Sequence, residues 1–209
     1  MKSRPATYVL GITGASGAAY ALRLLDVLLD SGCRVWLSIS PAGATVIEQE
    51  TGRKVDLNRF QLDALLPPND SHRGEVVYYH HQDLMAPMAS GSARTDGMII
   101  CPCSGSTLSS IAHAASGNLI QRAADVHLKE RRRLILVPRE TPLSTPQLEN
   151  MLRCSQYGAT VLPAMPGLYH RPHSIEQLID FIVARILDQL GIDNRLTSRW
   201  ADEGITDKP

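Results

Sequence analysis

The stretch YVLGITGASGAAY, Tyr8 to Tyr20, decides how the chain is read. Tyr8 to Thr13 is a continuous apolar run closed by glycine, the pattern of a parallel strand buried on both faces. Gly17 to Leu29 then takes helical periodicity, with Tyr20, Leu24, Val27 and Leu28 near one stripe, and Ser31-Gly32 ends it. Glycines at 11, 14 and 17 let a phosphate or a flat ring approach the backbone closely where a helix begins and its amides are unpaired. The spacing is G-x-x-G-x-x-G, not the G-x-G-x-x-G of dinucleotide sites. The second strand also ends Ile39-Ser40-Pro41, where such a site wants an acid for the adenosine ribose. A mononucleotide with a terminal phosphate fits this turn better than NAD, and a tight turn without ligand is the plainer alternative.

Outward from this stretch, strand and helix alternate to the end of the chain. Strands are predicted at Arg34 to Ser40, Val76 to Tyr79, Gly97 to Cys101, Arg133 to Val137 and Thr160 to Leu162. Helices are predicted from Ala42 to Glu50, in the Ser/Thr-rich sequence after Cys103, from Leu119 to Glu130, and from a Thr145 cap with Pro146 in its first turn. The last helix opens with a Ser174/Gln177 capping box, carries Ile175, Leu178, Ile179, Ile182, Val183, Ile186, Leu187 and Leu190 at helical spacing, and stops at Gly191. Thr51 to Glu75, polar and interrupted by Pro-Pro, reads as an excursion from the sheet. The expected fold is α/β: a Rossmann-like, doubly wound, parallel six-stranded sheet in a three-layer α/β/α sandwich. One domain is expected over residues 1–190, with a polar tail over 191–209.

Composition narrows the function classes. The 209 residues carry 21 Lys+Arg and 21 Asp+Glu, so no net basic charge is available for coating duplex nucleic acid. Aromatics are 5% of the chain, too few for a stacking platform on single strands. The four cysteines lack the spacing of a disulfide framework or a zinc site, which points to a reducing, cytoplasmic setting. The long uncharged stretches are broken by Gly, Ser, Thr or Pro before they reach a membrane-spanning length, so no stable membrane insertion is expected. No HExxH, paired CxxC or DDxxD run is present, so anions must be met by Arg, Lys, Tyr, Ser and helix ends without a metal.

Three further patterns carry chemistry. The fourth strand ends CPCSGSTLSSI, a hydroxyl-dense turn in which Ser104, Ser106 and Thr107 lie at the carboxyl edge of the sheet. With the glycine turn, it suggests one nucleotide held between two turns that flank the topological switch point. Arg139-Glu140 directly follows a buried strand, where Arg can bind phosphate bidentately and Glu can act as acid or base. Arg122, Lys129, Arg131, Arg132, Arg133 and Arg139 form a locally basic segment, for which a solvated helix face is the plainer reading. Arg185 lies at the rim of the last helix's stripe, and Tyr169-His170 in PGLYHRP reads as a turn.

Taken together, GITGASGAAYALRLL, Glu50-Thr51, ASGS at Ala89 to Ser92, CPCSGSTLS, NLIQRAADVHLKERRRLILVPRETPL, ENML and PGLYHRP resemble the flavin prenyltransferase family (UbiX, formerly described as an aromatic-acid decarboxylase). The resemblance runs from about Tyr8 to Trp200. It implies a homo-oligomer, typically dodecameric, with sites between subunits. It also implies transfer of a dimethylallyl group from dimethylallyl phosphate to N5 and C6 of reduced FMN without metal, making prenylated FMN for a UbiD-type decarboxylase that acts in ubiquinone biosynthesis or on other aromatic acids. By the same resemblance Gly14, Ala15, Ser16, Ser40, Ser104, Gly105, Ser106, Thr107 and Arg139 match FMN positions. Tyr169 and Arg185 match dimethylallyl phosphate positions, Arg122 and Lys129 basic residues reaching that phosphate from a neighbouring subunit, and Trp200 an aromatic near the prenyl group. Ser16, Glu50 and Glu140 match proton-handling residues. Leu168 departs from the pattern, standing where many members have Phe.

Two rival readings are a flavin-dependent cysteine decarboxylase and a non-catalytic flavin carrier for a partner decarboxylase. The first carries an Asn in a PxMN segment, which Met85 to Ser92 (MAPMASGS) lacks. The second has no need of carboxylates at a flavin edge, where the resemblance places Glu50 and Glu140. The tail bearing Trp200 is expected to order when substrates bind.

Overall fold

In the computed structural model, residues 4–197 are described. They fall into two compact units that divide at Ala164/Met165.

The first unit holds a parallel sheet of β1 (Thr7–Ile12), β2 (Arg34–Ile39), β3 (Glu75–Tyr78), β4 (Gly97–Cys103), β5 (Leu134–Pro138) and β6 (Thr160–Val161). Its spatial order is β3-β2-β1-β4-β5-β6, so the winding reverses between β1 and β4, which pair from Tyr8↔Gly97 to Gly11↔Ile100. This is the doubly wound α/β sheet expected, with the switch point between the two strands that feed the glycine and serine turns. Residues 52–74 contain no strand, only a short 3₁₀ turn at Leu62–Ala64.

Helices α1 (Ala18–Asp30), α2 (Pro41–Thr51), α3 (Gly105–Ala112), α4 (Leu119–Lys129) and α5 (Thr145–Gln156) complete the unit. Side chains alternate across a strand, and both faces here are apolar. Val9, Met98, Ile100, Leu134 and Leu136 form one buried cluster with Leu108, Ile120, Ala123 and Cys154 of α3, α4 and α5. The intervening positions Leu10, Ile12, Ile99 and Ile135 are equally buried, and α1 lies against β1, β2 and β4. All four cysteines are free and buried, and Cys103 joins the α3–α5 cluster while Cys101 does not, although regular alternation would put both on one face; the β4–β5 register shifts between Ile100 and Cys103.

Two helix starts differ from expectation. The N-cap of α5 is Ser144 and not Thr145: Gln147 Oε1 accepts from the Ser144 amide at 2.9 Å and from its hydroxyl at 3.0 Å. Helix α2 likewise begins at Pro41, with the Ser40 hydroxyl accepting from the Gly43 amide at 3.0 Å. In both cases Pro sits in the first turn, where its missing N–H costs nothing.

The second unit contains α6 (Ile175–Leu190), ended by Gly191 at φ 73°. The Ser174 hydroxyl accepts from the Gln177 amide at 3.3 Å as the capping box predicts, but the Gln177 side chain returns to the His173 amide, at 2.7 Å, instead of Ser174. Among the described residues no helix is long and apolar enough to cross a membrane.

Candidate active site

In a parallel sheet every strand ends at the same edge, so the turns after β1, β2, β4 and β5 converge there. They bring Gly14–Ser16, Ser40, Ser104–Thr107 and Arg139-Glu140 to one rim, as the sequence reading requires. The Arg139 Nε donates to the Ser16 carbonyl at 3.2 Å, which ties the end of β5 to the glycine turn. A Cβ added to Gly14 would fall on Cβ of Ala42, and one on Gly43 would lie 2.7 Å from the Ile12 carbonyl oxygen. The glycines therefore let the turn and the start of α2 pack directly against each other.

The glycine turn differs from expectation in one respect. The first amides of α1 face a carboxylate: Glu50, on the last turn of α2, accepts from the Gly17 amide at 3.0 and 3.1 Å and from Ala18 at 2.8 Å. A carboxylate there complements the positive end of the α1 dipole. The amides of Gly17 and Ala18 are thus engaged within the protein, and a ligand phosphate is better matched to the other turn. Partial burial pushes the Glu50 carboxyl up, but the Ser16 side-chain hydrogen bond, the two amides and nearby Arg139 outweigh it and hold the group below its ordinary range.

On the serine turn, Ser104 caps α3, its hydroxyl accepting from the Thr107 amide at 3.3 Å and lying 3.2 Å from the Ser106 hydroxyl. Thr107 is buried while Ser106 is exposed at the rim. This hydroxyl-rich helix start, with Arg139 across the rim, has the donors and charge to receive an anion. Glu140 is exposed and accepts from the Thr141 amide at 3.2 Å.

The other sequence-predicted residues lie elsewhere. Arg122 donates from Nε to the Ala89 carbonyl at 3.2 Å and pairs with Asp125 at 2.9 Å, and Lys129 pairs with Glu130 at 2.9 Å. Helix α4 runs back to the start of β5, so Lys129 ends it near the amino edge of the sheet, opposite Arg139. In the second unit, Arg185 pairs with Asp188 at 2.7 Å. Tyr169 packs edge-on to Phe181, with ring centroids 5.8 Å apart, in a turn closed by the Arg171 amide on the Leu168 carbonyl at 3.0 Å. Leu168 is exposed. Trp200 lies outside the described residues. Sequence reasoning missed Thr13, read only as the end of a strand. Its hydroxyl joins the two turns, donating to the Pro102 carbonyl and accepting from the Ser104 amide, each at 2.8 Å.

No group of His, Cys, Asp and Glu among the described residues is placed to hold a metal. The residues present do fit a flavin mononucleotide: a tightly packed glycine turn, a hydroxyl-lined helix start and an arginine meet at the switch point, with one carboxylate held among them.

Comparison with known proteins agrees. A family model described as Flavoprotein matches residues 1–187. A curated relative from Halalkalibacterium halodurans, "Flavin prenyltransferase UbiX", is 50% identical over 196 residues, covering 94% of each chain. A crystal structure of AnUbiX (PadA1) in complex with FMN and dimethylallyl pyrophosphate superposes with a TM-score of 0.83 at 38% identity, over 94% of this chain and 98% of that one. A dodecameric FMN-dependent Ubix-like decarboxylase from Escherichia coli O157:H7 superposes with a TM-score of 0.78 at 39% identity, over 90% and 96%. The chain belongs to the flavin prenyltransferase family of flavoproteins.

Proposed function

We propose that this protein transfers a dimethylallyl group from dimethylallyl phosphate to N5 and C6 of reduced FMN, giving prenylated FMN without a metal. Reduced FMN supplies the electron-rich nucleophile, and the allylic C–O bond breaks as phosphate leaves. The chain's own residues bind, orient and move protons. The observation that carries this reading is the Glu50 carboxylate, held beside Ser16 and the glycine turn by the start of α1 and under the field of Arg139. A carrier would need the group only as a cap for α1, whereas a transferase also uses it as a base, and Glu50→Gln separates the two uses.

Gly14, Ala15, Ser16, Ser40, Ser104, Gly105, Ser106, Thr107 and Arg139 hold FMN. The start of α3 serves its phosphate, because the amides of Gly17 and Ala18 are engaged by Glu50. Glu50, ionised, takes a flavin proton through the Ser16 hydroxyl. Glu140, exposed after β5, donates a proton to the departing phosphate. Arg139 stabilises the charge that develops on that phosphate, and the family resemblance assigns Tyr169 and Arg185 to dimethylallyl phosphate and Trp200 to its prenyl group. Arg122 and Lys129 serve the phosphate of a neighbouring subunit's site, consistent with Lys129 lying at the opposite sheet edge from Arg139 in its own chain. The working assembly is then a homo-oligomer, a dodecamer like the Escherichia coli relative. Residues 1–190 act as one functional unit, the product goes to a UbiD-type decarboxylase, and the setting is cytoplasmic.

The test is anaerobic incubation with dimethylallyl phosphate. Inorganic phosphate appearing only when reduced FMN is present supports the reading, and release that ignores FMN contradicts it.

A further inference from the structure

Thr13 does more than end a strand. It is 2% exposed, and its hydroxyl is used twice: it donates to the Pro102 carbonyl and accepts from the Ser104 amide, both at 2.8 Å. Its own amide donates to the same Pro102 carbonyl at 3.2 Å, and its carbonyl accepts from Ala15 at 2.9 Å. Thr13 is thus bonded on one side to the glycine turn and on the other to the residue that caps α3. Where β1 meets β4 the regular pairing stops at Gly11↔Ile100, so these bonds replace the ladder beyond it. They fix how far apart the two turns stand.

We propose that Thr13 is a positioning residue for flavin binding, its side-chain hydroxyl setting the spacing between the glycine turn and the Ser104–Thr107 turn. This rests on the flavin reading above. Ser104 then contributes its hydroxyl to the rim while its amide is committed to Thr13. Thr13 itself touches no substrate.

The experiment measures the dissociation constant of FMN by quenching of its fluorescence, with kcat and KM for FMN, on Thr13→Val, Thr13→Ser and Thr7→Val. Thr13→Val keeps shape and burial but strands the Ser104 amide, and about tenfold weaker FMN binding is expected from one partly buried donor left unpaired. The loss should appear in KM, with kcat at saturating FMN nearly unchanged. Thr13→Ser retains the hydroxyl and should bind within about threefold of wild type. Thr7→Val makes the same chemical change at the other end of β1, where Thr7 is also 2% exposed, and should leave FMN binding unaltered. Wild-type affinity in Thr13→Val, or an equal loss in Thr7→Val, overturns the proposal. If Thr13→Val does not fold, Thr13→Ser decides: retained affinity supports the bridge, and a tenfold loss overturns it. FMN bound by none of these chains, wild type included, overturns the flavin reading and this inference together.

Discussion

Glu50 and Ala18 are joined by a hydrogen bond of 2.8 Å between the carboxylate at the end of α2 and an amide at the start of α1. The bond makes Glu50 both a cap for one helix and an ionised group beside the glycine turn.

Removing it should affect stability and chemistry separately. Glu50→Ala deletes the acceptor at the start of α1 and should cost about 1 kcal/mol in denaturant unfolding. Glu50→Gln keeps much of the hydrogen bonding but not the base, and should lower kcat by ~10²-fold or more with FMN binding retained. Equal kcat in Glu50→Gln and wild type would remove Glu50 from the chemistry.

The pH dependence follows from the sign of the shift. The folded Glu50 carboxyl titrates below its ordinary 4.5, so its contribution to stability is complete above that pH and is lost as pH falls through the lower folded value. As a base it must be ionised, so the acid limb of kcat due to Glu50 should lie below pH 4.5. A Glu50-dependent limb near pH 6, absent in Glu50→Gln, would contradict the arrangement.

Gly14→Ala should be disruptive because the new methyl group meets Ala42. Overpacking of this kind typically costs about 1–3 kcal/mol. Ala42→Gly removes the opposing methyl at roughly 1 kcal/mol of helix propensity, so the double variant should recover FMN binding lost in Gly14→Ala. Thermal melts and FMN titration of the cycle measure the coupling, and strict additivity would refute the contact.

His127 is 1% exposed on α4, its Nδ1 at 2.7 Å from the Ala123 carbonyl and its Nε2 at 2.8 Å from the Thr95 hydroxyl. Burial drives its pKa down to about 4, the Ala123 bond opposes this, and Arg132 adds to the lowering. The unfolded chain therefore takes up a proton between pH 6.5 and 4 that the folded chain does not. Stability should fall across that window, by about 3 kcal/mol from this residue. Denaturant midpoints of His127→Gln should show a shallower pH slope than wild type.

The sheet was legible because each buried strand is a short apolar run closed by Gly, Ser or Pro, as at Ile12-Thr13-Gly14 and Val137-Pro138-Arg139. The switch point followed from the glycine and serine turns falling after β1 and β4. Caps were harder: in Ser144-Thr145-Pro146 either hydroxyl can cap, and only the Gln147 side chain selects Ser144. Bonds between distant segments had no local signature. Glu50 lies 33 residues from Gly17, and Thr13 lies 91 residues from Ser104, so neither the carboxylate that caps α1 nor the bridge between turns could be read from spacing. Glu50 was reached through family resemblance, and Thr13 only through the structure.

The most direct test of the central claim is the mass of the flavin after anaerobic incubation of the protein with reduced FMN and dimethylallyl phosphate. A flavin heavier by one five-carbon unit, formed more slowly by Glu140→Gln, is the predicted result; unchanged FMN from protein shown to bind both substrates would contradict it.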